Sequence, residues 1–204
     1  SVDGLYNQQY DYPPETILSH EFFRENTAEF YRYYTDKMVG LDAKPNAAHK
    51  KLAELEAAGK LLGIATQNID GLHQAAGSKE ALELHGSTHR CYCARCRKPY
   101  PESFINDCEG VPCCDCGGVV RPDVVLYEEG LDQSVIEGAV KAISKADMLI
   151  IGGTSLVVYP AAGLIRYYRG DKLVLVNKSE TSADRGANLV IHDSIGKVFS
   201  QIIV

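Results

Sequence analysis

Residues His85 to Cys96 read HGSTHRCYCARC and open the only cysteine-containing region of the chain. All seven cysteines lie between Cys91 and Cys116, and residues 88–121 lack the helical and strand periodicity of the flanking sequence. Two Cys-x-x-Cys pairs stand 16 residues apart in this region, Cys93–Cys96 and Cys113–Cys116. This spacing is typical of structural zinc, because two tight turns can supply four thiolates to one Zn²⁺ ion. The stretch therefore predicts a small zinc-binding cysteine module inserted in a larger domain.

Three cysteines remain outside the two pairs, which leaves alternatives for the ligand set. Cys114 could replace Cys113, although the second pair would then shorten to Cys-x-Cys. His89 could replace one thiolate, and the cysteines could instead be buried free thiols. Four thiolates leave no open coordination position, so the zinc is predicted to be structural and does not need His85 as a ligand.

The composition is that of an ordinary globular chain, with 45% hydrophobic and 24% charged residues among 204. This length suits one domain, or one large domain with a small insert. The net charge of −6 carries no basic stripe, which argues against a nucleic-acid partner. No apolar run approaches the roughly 18–20 residues of a membrane span, and the first residues do not resemble a signal peptide. Because clustered cysteines are typical of a reducing compartment, we expect a cytoplasmic protein.

Helices and short apolar strands alternate on both sides of the cysteine module. Aromatic residues at steps of three and four favour a helix over residues 15–40, and a second helix is predicted from Asn46 to Gly59. Strands are predicted at LLGIATQN (61–68), DMLIIGG (147–153), KLVLVN (172–177) and LVIHD (189–193), with helices at SVIEGAVKAISKA (134–146), at AAGLIRYYRG (161–170) and after the last strand. This order predicts an α/β fold with a parallel sheet covered by helices on both faces.

Polar residues follow three of the predicted strands, at TQNID (66–70), GGTSL (152–156) and VNKS (176–179). Since the carboxyl ends of parallel strands meet at one edge of a sheet, these residues are expected to line one crevice. Backbone N–H groups at a Gly-rich strand end can bind phosphate, and Asn177 can hydrogen-bond a ribose or a base. The sequence therefore predicts a nucleotide site at this edge.

Five segments occur in the order and spacing of the sirtuins, and the chain resembles that family over nearly its whole length. They are TQNIDGLH (66–73), LHGS (84–87) followed by the cysteine pairs, RPDVVLYEEGL (121–131), GGTSLVVYP (152–160) and VNKSETSADRGANLVIHD (176–193). The resemblance implies a Rossmann-like NAD-binding domain plus a small zinc-ribbon and helical domain. We expect the NAD-binding domain to comprise 1–87 and 118–204, with a helical insert over about 5–45, and the zinc ribbon to comprise 88–117. Tyr127-Glu128, where the family has Phe-Gly, resembles bacterial members.

Sirtuins are NAD-dependent protein deacylases, so the resemblance implies transfer of the acetyl group of acetyl-lysine to ADP-ribose, with release of nicotinamide. His85 is implied to be the general base on the NAD ribose, a role that suits an imidazole because its pKa lies near working pH. Asn68 is implied to be the second catalytic residue, which orients the ribose and a water molecule. The implied NAD contacts are Gln67, Asn68, Ile69, Asp70, Gly153, Thr154, Ser155, Asn177, Lys178, Ser179 and Ile195. The implied contacts to the substrate peptide, which adds as a strand, are Val124, Val125, Tyr127, Glu129, Val157 and Val158.

The aromatic helix bears on the choice of acyl group. Sirtuins that prefer succinyl-lysine carry a tyrosine and an arginine at the spacing of Tyr31 and Tyr34, and here tyrosine replaces that arginine. Without a guanidinium to pair with a carboxylate, the chain is predicted to prefer acetyl or other neutral acyl groups. Another NAD-dependent deacylation, or mono-ADP-ribosyl transfer, would use the same motifs. A zinc-ribbon binding module without catalysis is the alternative from a different functional class.

The chain departs from the family at its start. Sirtuins open with a strand, a GAGxS turn and a GIPDFR segment that bind the NAD pyrophosphate, whereas this sequence opens with SVDGLY, which follows that segment in the family. The segment supplies a central strand and a Gly-rich anion site. We expect the complete protein to carry it, and the catalytic assignments apply to that protein.

Overall fold

A computed structural model of the chain describes residues 10–38 and 43–204. Residues 5–9 and 39–42 of the predicted helical insert lie outside the described residues. The helices are α1 (Pro14–Ile17), α2 (His20–Glu25), α3 (Thr27–Met38), α4 (Ala47–Ala57), α5 (Leu72–Ala75), α6 (Ser103–Asn106), α7 (Gln133–Lys145) and α8 (Ile195–Phe199), with 3-10 helices at Ala161–Tyr167 and Asp184–Gly186. The strands are β1 (Ile64–Thr66), β2 (Ala81–Glu83), β3 (Gly86–Cys93), β4 (Pro99–Pro101), β5 (Val120–Val124), β6 (Leu149–Gly152), β7 (Leu173–Val176) and β8 (Leu189–Ile191).

The described residues divide into two compact units. The helix–cysteine unit comprises 10–38, 68–71 and 85–131, and the parallel-sheet unit comprises 43–67, 72–84 and 132–204. This division differs from the predicted boundaries, because the N-terminal helices share a unit with the cysteine module instead of belonging to the NAD-binding domain. None of the helices described is long and apolar enough to cross a membrane.

The helix–cysteine unit is built around the aromatic residues of α2 and α3. Phe30 and Tyr31 are each 1% exposed and lie in one core with Cys93, Ile105 and other residues of the cysteine module. The Tyr31 hydroxyl donates a hydrogen bond to the carbonyl of Val120 at 2.5 Å, which ties α3 to β5. This shared apolar core is the physical reason that the helices and the module form one unit.

The predicted helix over 15–40 is divided into three helices by breaks at Ser19 and Asn26. Ser19 has an extended backbone, and its Oγ accepts from the Phe22 N–H at 3.1 Å, which caps the start of α2. Asn26 ends that helix and precedes α3. The aromatic spacing therefore predicted the buried face correctly but not the breaks.

An antiparallel three-stranded sheet in the order β4-β3-β5 completes this unit. The pairing of β3 with β5 shifts register, since Ser87 lies opposite Asp123 whereas Cys91 lies opposite Pro122. Residues 88–90 are therefore extra on β3 and form a bulge, a device that redirects side chains away from the ladder.

The parallel-sheet unit confirms the prediction of an α/β fold with parallel strands. Strands β1 and β2 pair in parallel, and β6, β7 and β8 form a second parallel sheet in that order. Among the described strands, β1 pairs only with β2, and β6 only with β7. Strand β2 was not predicted, and the segment predicted as a helix at 161–170 is a 3-10 helix over Ala161–Tyr167.

Helix α4 begins at a capping box and packs with α8 beside β7. The Asn46 side chain caps α4, and the His49 imidazole accepts from the Asn46 N–H at 3.2 Å, which completes a capping box. Helices α4 and α8 share a core in which Ala48, Val176 and Phe199 are buried. These contacts fix the carboxyl end of β7, where Asn177 follows.

Candidate functional site

Four cysteine sulfurs converge in the helix–cysteine unit. The Sγ atoms of Cys93, Cys96, Cys114 and Cys116 all lie within 4.8 Å of one another. Cys93 Sγ lies 3.5 Å from that of Cys116, and Cys96 Sγ lies 3.7 Å from that of Cys114. A tetrahedron with Zn–S distances of 2.3 Å has edges of about 3.8 Å, so this donor set fits one Zn²⁺ ion. The N–H groups of Arg95 and Cys96 point at the Cys93 sulfur, at 3.4 and 3.5 Å, as is suitable for a thiolate.

The structure brings Cys114 into this cluster, whereas the predicted ligand Cys113 lies outside it. Cys113 and Val119 form an antiparallel bridge, and the Cys114 N–H donates to the Gly118 carbonyl at 2.8 Å, so the two cysteines lie in a tight hairpin. Successive side chains of an extended backbone point to opposite faces. Cys114 is accordingly buried with the cluster, whereas Cys113 is exposed and its Sγ lies 3.5 Å from the Val111 carbonyl.

The glycine at position 118 is required by this hairpin. A Cβ atom there would lie 2.7 Å from the Cys93 sulfur and 2.6 Å from the Arg95 Cβ. The adjacent Gly117, with φ at +77°, makes the turn itself. The Gly-Gly pair directly after Cys116 was therefore the sequence signal for a tight turn at this point.

His85 lies at the start of β3, and its backbone is held by β5. Its carbonyl accepts from the Val125 N–H at 3.0 Å. The next residue, Gly86, has φ at +76°, and a Cβ atom there would lie 1.9 Å from the Asp123 carbonyl oxygen. No other residue fits at position 86 without moving β5, so the His-Gly-Ser turn fixes the position of the His85 backbone.

The loop 68–71 runs beside the bulge of β3. The Thr88 N–H and hydroxyl both donate to the Ile69 carbonyl, at 3.0 and 3.1 Å. The His89 Nε2 atom lies 3.0 Å from the Asp70 carbonyl oxygen. The structure therefore brings the predicted residues Asn68, Ile69 and Asp70 to the strand that begins next to His85.

The segment Val124–Glu129 is anchored by an arginine that the sequence reasoning missed. Arg121 donates two hydrogen bonds to the Glu129 carboxylate, at 2.6 and 2.9 Å, and a third to the Val124 carbonyl at 2.8 Å. The Leu126 N–H donates to the same carboxylate at 2.9 Å. Burial raises the pKa of Glu129, but the Arg121 guanidinium and the Leu126 N–H outweigh this effect and hold the pKa at about 2. Glu129 thus stabilises the backbone conformation of the segment to which it belongs.

The same segment also pairs with the first helices. The Tyr127 N–H donates to the Leu18 carbonyl at 2.9 Å, and the Tyr127 carbonyl accepts from the His20 N–H at 3.0 Å. The Tyr127 side chain remains 44% exposed. Tyr127, a predicted peptide contact, therefore has a backbone held by hydrogen bonds and a side chain that is exposed to solvent.

In the parallel-sheet unit, predicted NAD contacts lie at the carboxyl ends of β6 and β7. The Gly153 N–H donates to the Val176 carbonyl at 3.1 Å, which places the turn after β6 next to Asn177. A Cβ atom on Gly152 would lie 2.2 Å from Ile195 Cδ1, so Ile195 at the start of α8 packs on this turn. Gly153 has φ at +65° and open space where a Cβ would stand. The backbone is thus accessible to a ligand here.

The remaining predicted residues of this unit follow β1, β6 and β7, and β1 belongs to a different sheet from the other two strands. Thr154 Oγ1 accepts from the Leu156 N–H at 3.2 Å, and the Asn177 side chain donates to the Ser179 carbonyl at 3.0 Å. Ser155 and Lys178 lie on the two turns, and Gln67 directly follows β1. Val157 is 69% exposed and Val158 is 37% exposed, an unusual exposure for adjacent valines.

The chain is similar in sequence to known proteins. The family model described as "Sir2 family" matches residues 1–160. The chain is 59% identical to a protein of Clostridium acetobutylicum named "NAD-dependent protein deacetylase", and the match covers 100% of this chain and 84% of that protein.

The fold is also similar to solved structures of Sir2 proteins. A Sir2 protein in complex with a p53 peptide and NAD⁺ is 40% identical, with a TM-score of 0.85 over 96% of this chain and 82% of that one. A Sir2 complex with an inhibitor, 2'-O-acetyl-ADP-ribose and a deacetylated p53 peptide is 41% identical, with a TM-score of 0.84 over 90% of this chain and 82% of that one.

Proposed function

Because the chain belongs to the Sir2 family, we propose that it is an NAD-dependent protein deacetylase, which transfers the acetyl group of acetyl-lysine to ADP-ribose and releases nicotinamide. The observation that carries this proposal is the 59% identity, over the whole chain, to a protein named for that activity. The complexes of related Sir2 proteins with NAD⁺, with acetylated peptide and with 2'-O-acetyl-ADP-ribose agree with it.

The proposed catalytic residues are His85 and Asn68. NAD supplies the ADP-ribose that receives the acetyl group and the nicotinamide that leaves. The His85 imidazole accepts a proton from a ribose hydroxyl, a step that an imidazole can perform near neutral pH. Support for this role comes from the His-Gly-Ser turn, whose close approach to Asp123 holds the His85 backbone in one position. Asn68 orients the ribose and a water molecule, and Asp70 accepts a hydrogen bond from the nicotinamide carboxamide.

The proposed NAD contacts of the parallel-sheet unit surround the accessible backbone of Gly153. The open space beside Gly153 leaves room for a phosphate next to this turn, although the Gly153 N–H itself already donates to the Val176 carbonyl. Thr154 and Ser155 supply hydroxyl groups on the same turn. Asn177, Lys178, Ser179 and Ile195 complete the proposed set in this unit, with Gln67 after β1.

The proposed peptide contacts are backbone groups and apolar side chains. Val124, Val125, Tyr127 and Glu129 belong to the helix–cysteine unit, and Val157 and Val158 to the parallel-sheet unit. Exposed valines on an irregular segment suit a substrate that adds as a strand, because main-chain hydrogen bonds accept many sequences. Zn²⁺ bound by the four cysteines supplies folding energy and leaves no position for substrate. Because clustered zinc-binding cysteines are typical of a reducing compartment, we also propose a cytoplasmic location.

The experiment that tests this function is mass spectrometry of an acetyl-lysine peptide incubated with the protein, with and without NAD. Loss of the acetyl group only with NAD, together with acetyl-ADP-ribose, is the expected result. Transfer of ADP-ribose to the peptide would instead identify a mono-ADP-ribosyltransferase. An intact peptide and intact NAD in the presence of folded, zinc-loaded protein would contradict both activities and favour a binding module.

A further inference from the structure

The imidazole of His89 lies between two hydrogen-bond acceptors of the helix–cysteine unit. Its Nδ1 atom is 2.6 Å from Glu102 Oε2, and its Nε2 atom is 3.0 Å from the Asp70 carbonyl oxygen. A carboxylate and a carbonyl can only accept, whereas a neutral imidazole carries a single N–H. Both hydrogen bonds therefore form together only when the ring is an imidazolium.

The position of His89 follows from the bulge of β3. Residues 88–90 leave the ladder with β5, and Thr88 and His89 turn to the carbonyls of Ile69 and Asp70 instead. The loop also closes directly on the ring, because a Cβ atom on Gly71, where φ is +64°, would lie 2.5 Å from His89 Cδ2. On the other side of the ring, Asn106 donates to the second oxygen of Glu102 at 3.2 Å and so orients the carboxylate.

We propose that His89, as an imidazolium, is a positioning residue that links the loop 68–71 to Glu102 and holds that loop in its binding geometry. This proposal rests on the proposed function, since the loop carries Asn68 and Asp70. His89 does not contact the reacting atoms in this scheme. It acts by fixing the Asp70 backbone, so its loss weakens NAD binding more than the chemical step.

The proposal makes the loop sensitive to the protonation state of His89. The titratable and charged groups around His89 are Glu102 at the start of α6, the carboxyl group of Asp70 on the loop, and the Arg90–Asp123 pair on the neighbouring residues of β3 and β5. When the ring loses a proton, one of its two hydrogen bonds is lost. Loss of the proton thus weakens the bond to the loop, and reprotonation restores it.

Kinetics of three variants test this role. His89→Phe removes both donors and is expected to raise KM for NAD about 3- to 10-fold with a smaller change in kcat, as for loss of one charge-assisted hydrogen bond at a partly exposed site. His89→Arg keeps two permanent donors and is expected to restore KM and to abolish its rise at alkaline pH. Glu102→Gln removes the negative charge that favours the imidazolium, so the rise in KM is expected to begin at lower pH.

Controls separate positioning from folding. Arg32→Gln breaks a comparably exposed ion pair on α3 and is expected to leave the pH profile unchanged. Zinc content and melting temperature should match the unmodified protein in every variant. An unchanged KM in His89→Phe across the pH range would overturn the proposal.

A second readout does not depend on activity. Nitrogen-15 NMR of labelled histidine is expected to show both His89 ring nitrogens protonated at neutral pH, and hydrogen exchange of residues 68–71 should accelerate in His89→Phe. One unprotonated ring nitrogen at neutral pH, or unchanged exchange, would refute the role of His89. If no protein in the series deacetylates peptide, the proposed function fails, and these two measurements still decide the role of His89.

Discussion

Arg121 and Glu129 form a buried, doubly hydrogen-bonded ion pair, with Nη1 2.6 Å from Oε1 and Nη2 2.9 Å from Oε2. The two side chains are 9% and 19% exposed. The pair closes the turn that follows β5, because Arg121 also reaches the Val124 carbonyl and Glu129 accepts from the Leu126 N–H.

Removing one partner of this pair is expected to be costly. Arg121→Met removes two hydrogen bonds and the opposite charge from the largely buried Glu129 carboxylate, which keeps only the Leu126 N–H and the His20 imidazole as partners. It should therefore lower the free energy of unfolding by about 2 to 3 kcal/mol. Urea denaturation followed by circular dichroism measures the change. Lys98→Met, which breaks an exposed pair with Asp115, is the matched control and should change stability by less than about 1 kcal/mol. Equal effects of the two substitutions would contradict a buried, structural pair.

The same pair predicts loss of stability in acid. The pKa of Glu129 is about 2 in the folded chain, below the roughly 4.3 of an unfolded glutamate. Because the folded pKa is lowered, the stabilisation is complete above about pH 4.3 and is lost as the pH falls toward 2. Between pH 5 and 2.5, the free energy of unfolding should therefore fall less steeply with decreasing pH for Glu129→Gln than for the unmodified protein. An identical slope would show that Glu129 does not contribute.

The zinc ligands can be tested by a pair of adjacent serine substitutions. Cys114→Ser removes a buried ligand of the cluster and should release zinc and unfold the module. Cys113→Ser changes an exposed thiol and should retain one zinc per chain. Zinc content by atomic emission, with a thiol-displacement assay, measures both. Retention of zinc by Cys114→Ser and its loss from Cys113→Ser would restore the Cys-x-x-Cys assignment.

His85 should be separable from the metal site. His85→Ala is expected to keep zinc and melting temperature unchanged and to lower kcat by about 10²- to 10⁴-fold, the usual contribution of a general base. Deacetylation rates by mass spectrometry and zinc content are measured on the same preparation. Zinc loss from this variant would mean that the histidine belongs to the metal site.

The acyl preference follows from the absence of an arginine at position 34. Tyr34 is 3% exposed and its ring stacks on that of Phe30, so it offers no cation to an acidic acyl group. Acetyl-lysine peptide is therefore expected to exceed succinyl-lysine peptide in kcat/KM by roughly tenfold or more, since an unpaired carboxylate is costly to bury. Propionyl-lysine, which is neutral, serves as the control for size. Similar values for the acetyl and succinyl peptides would refute the prediction.

The sequence predicted the elements whose signals are local. Strand β7 and helix α7 were predicted from their apolar patterns, and the start of α4 was predicted at Asn46. The breaks at Ser19 and Asn26 were missed because the aromatic pattern continues across them. The compact units differ from the predicted domains because contacts such as Tyr31–Val120 join residues far apart in the chain.

At the candidate site, the sequence indicated which residues could act but not which residues contact them in the folded chain. Cys113 and Cys114 are equally good ligands by composition, and only the hairpin around Gly117 and Gly118 separates them. Arg121 and His89 were missed because their partners, Glu129 and Glu102, become neighbours only after β3, β5 and α6 assemble. The roles of His85 and Asn68 stay predictions until the variants are measured.

The shared core of the helix–cysteine unit links zinc binding to the stability of helices α1 to α3. Cys93 and Cys114 are buried in the same cluster as Phe30 and Tyr31. Loss of zinc is therefore expected to weaken the packing of α3 as well as that of the cysteine module. A ligand that binds only the folded form stabilises that form by about 1.4 kcal/mol for every tenfold rise in its free concentration above Kd. The melting of α1 to α3 should therefore follow the free zinc level of the buffer, although none of these helices supplies a ligand. Zinc availability would then set the amount of folded protein.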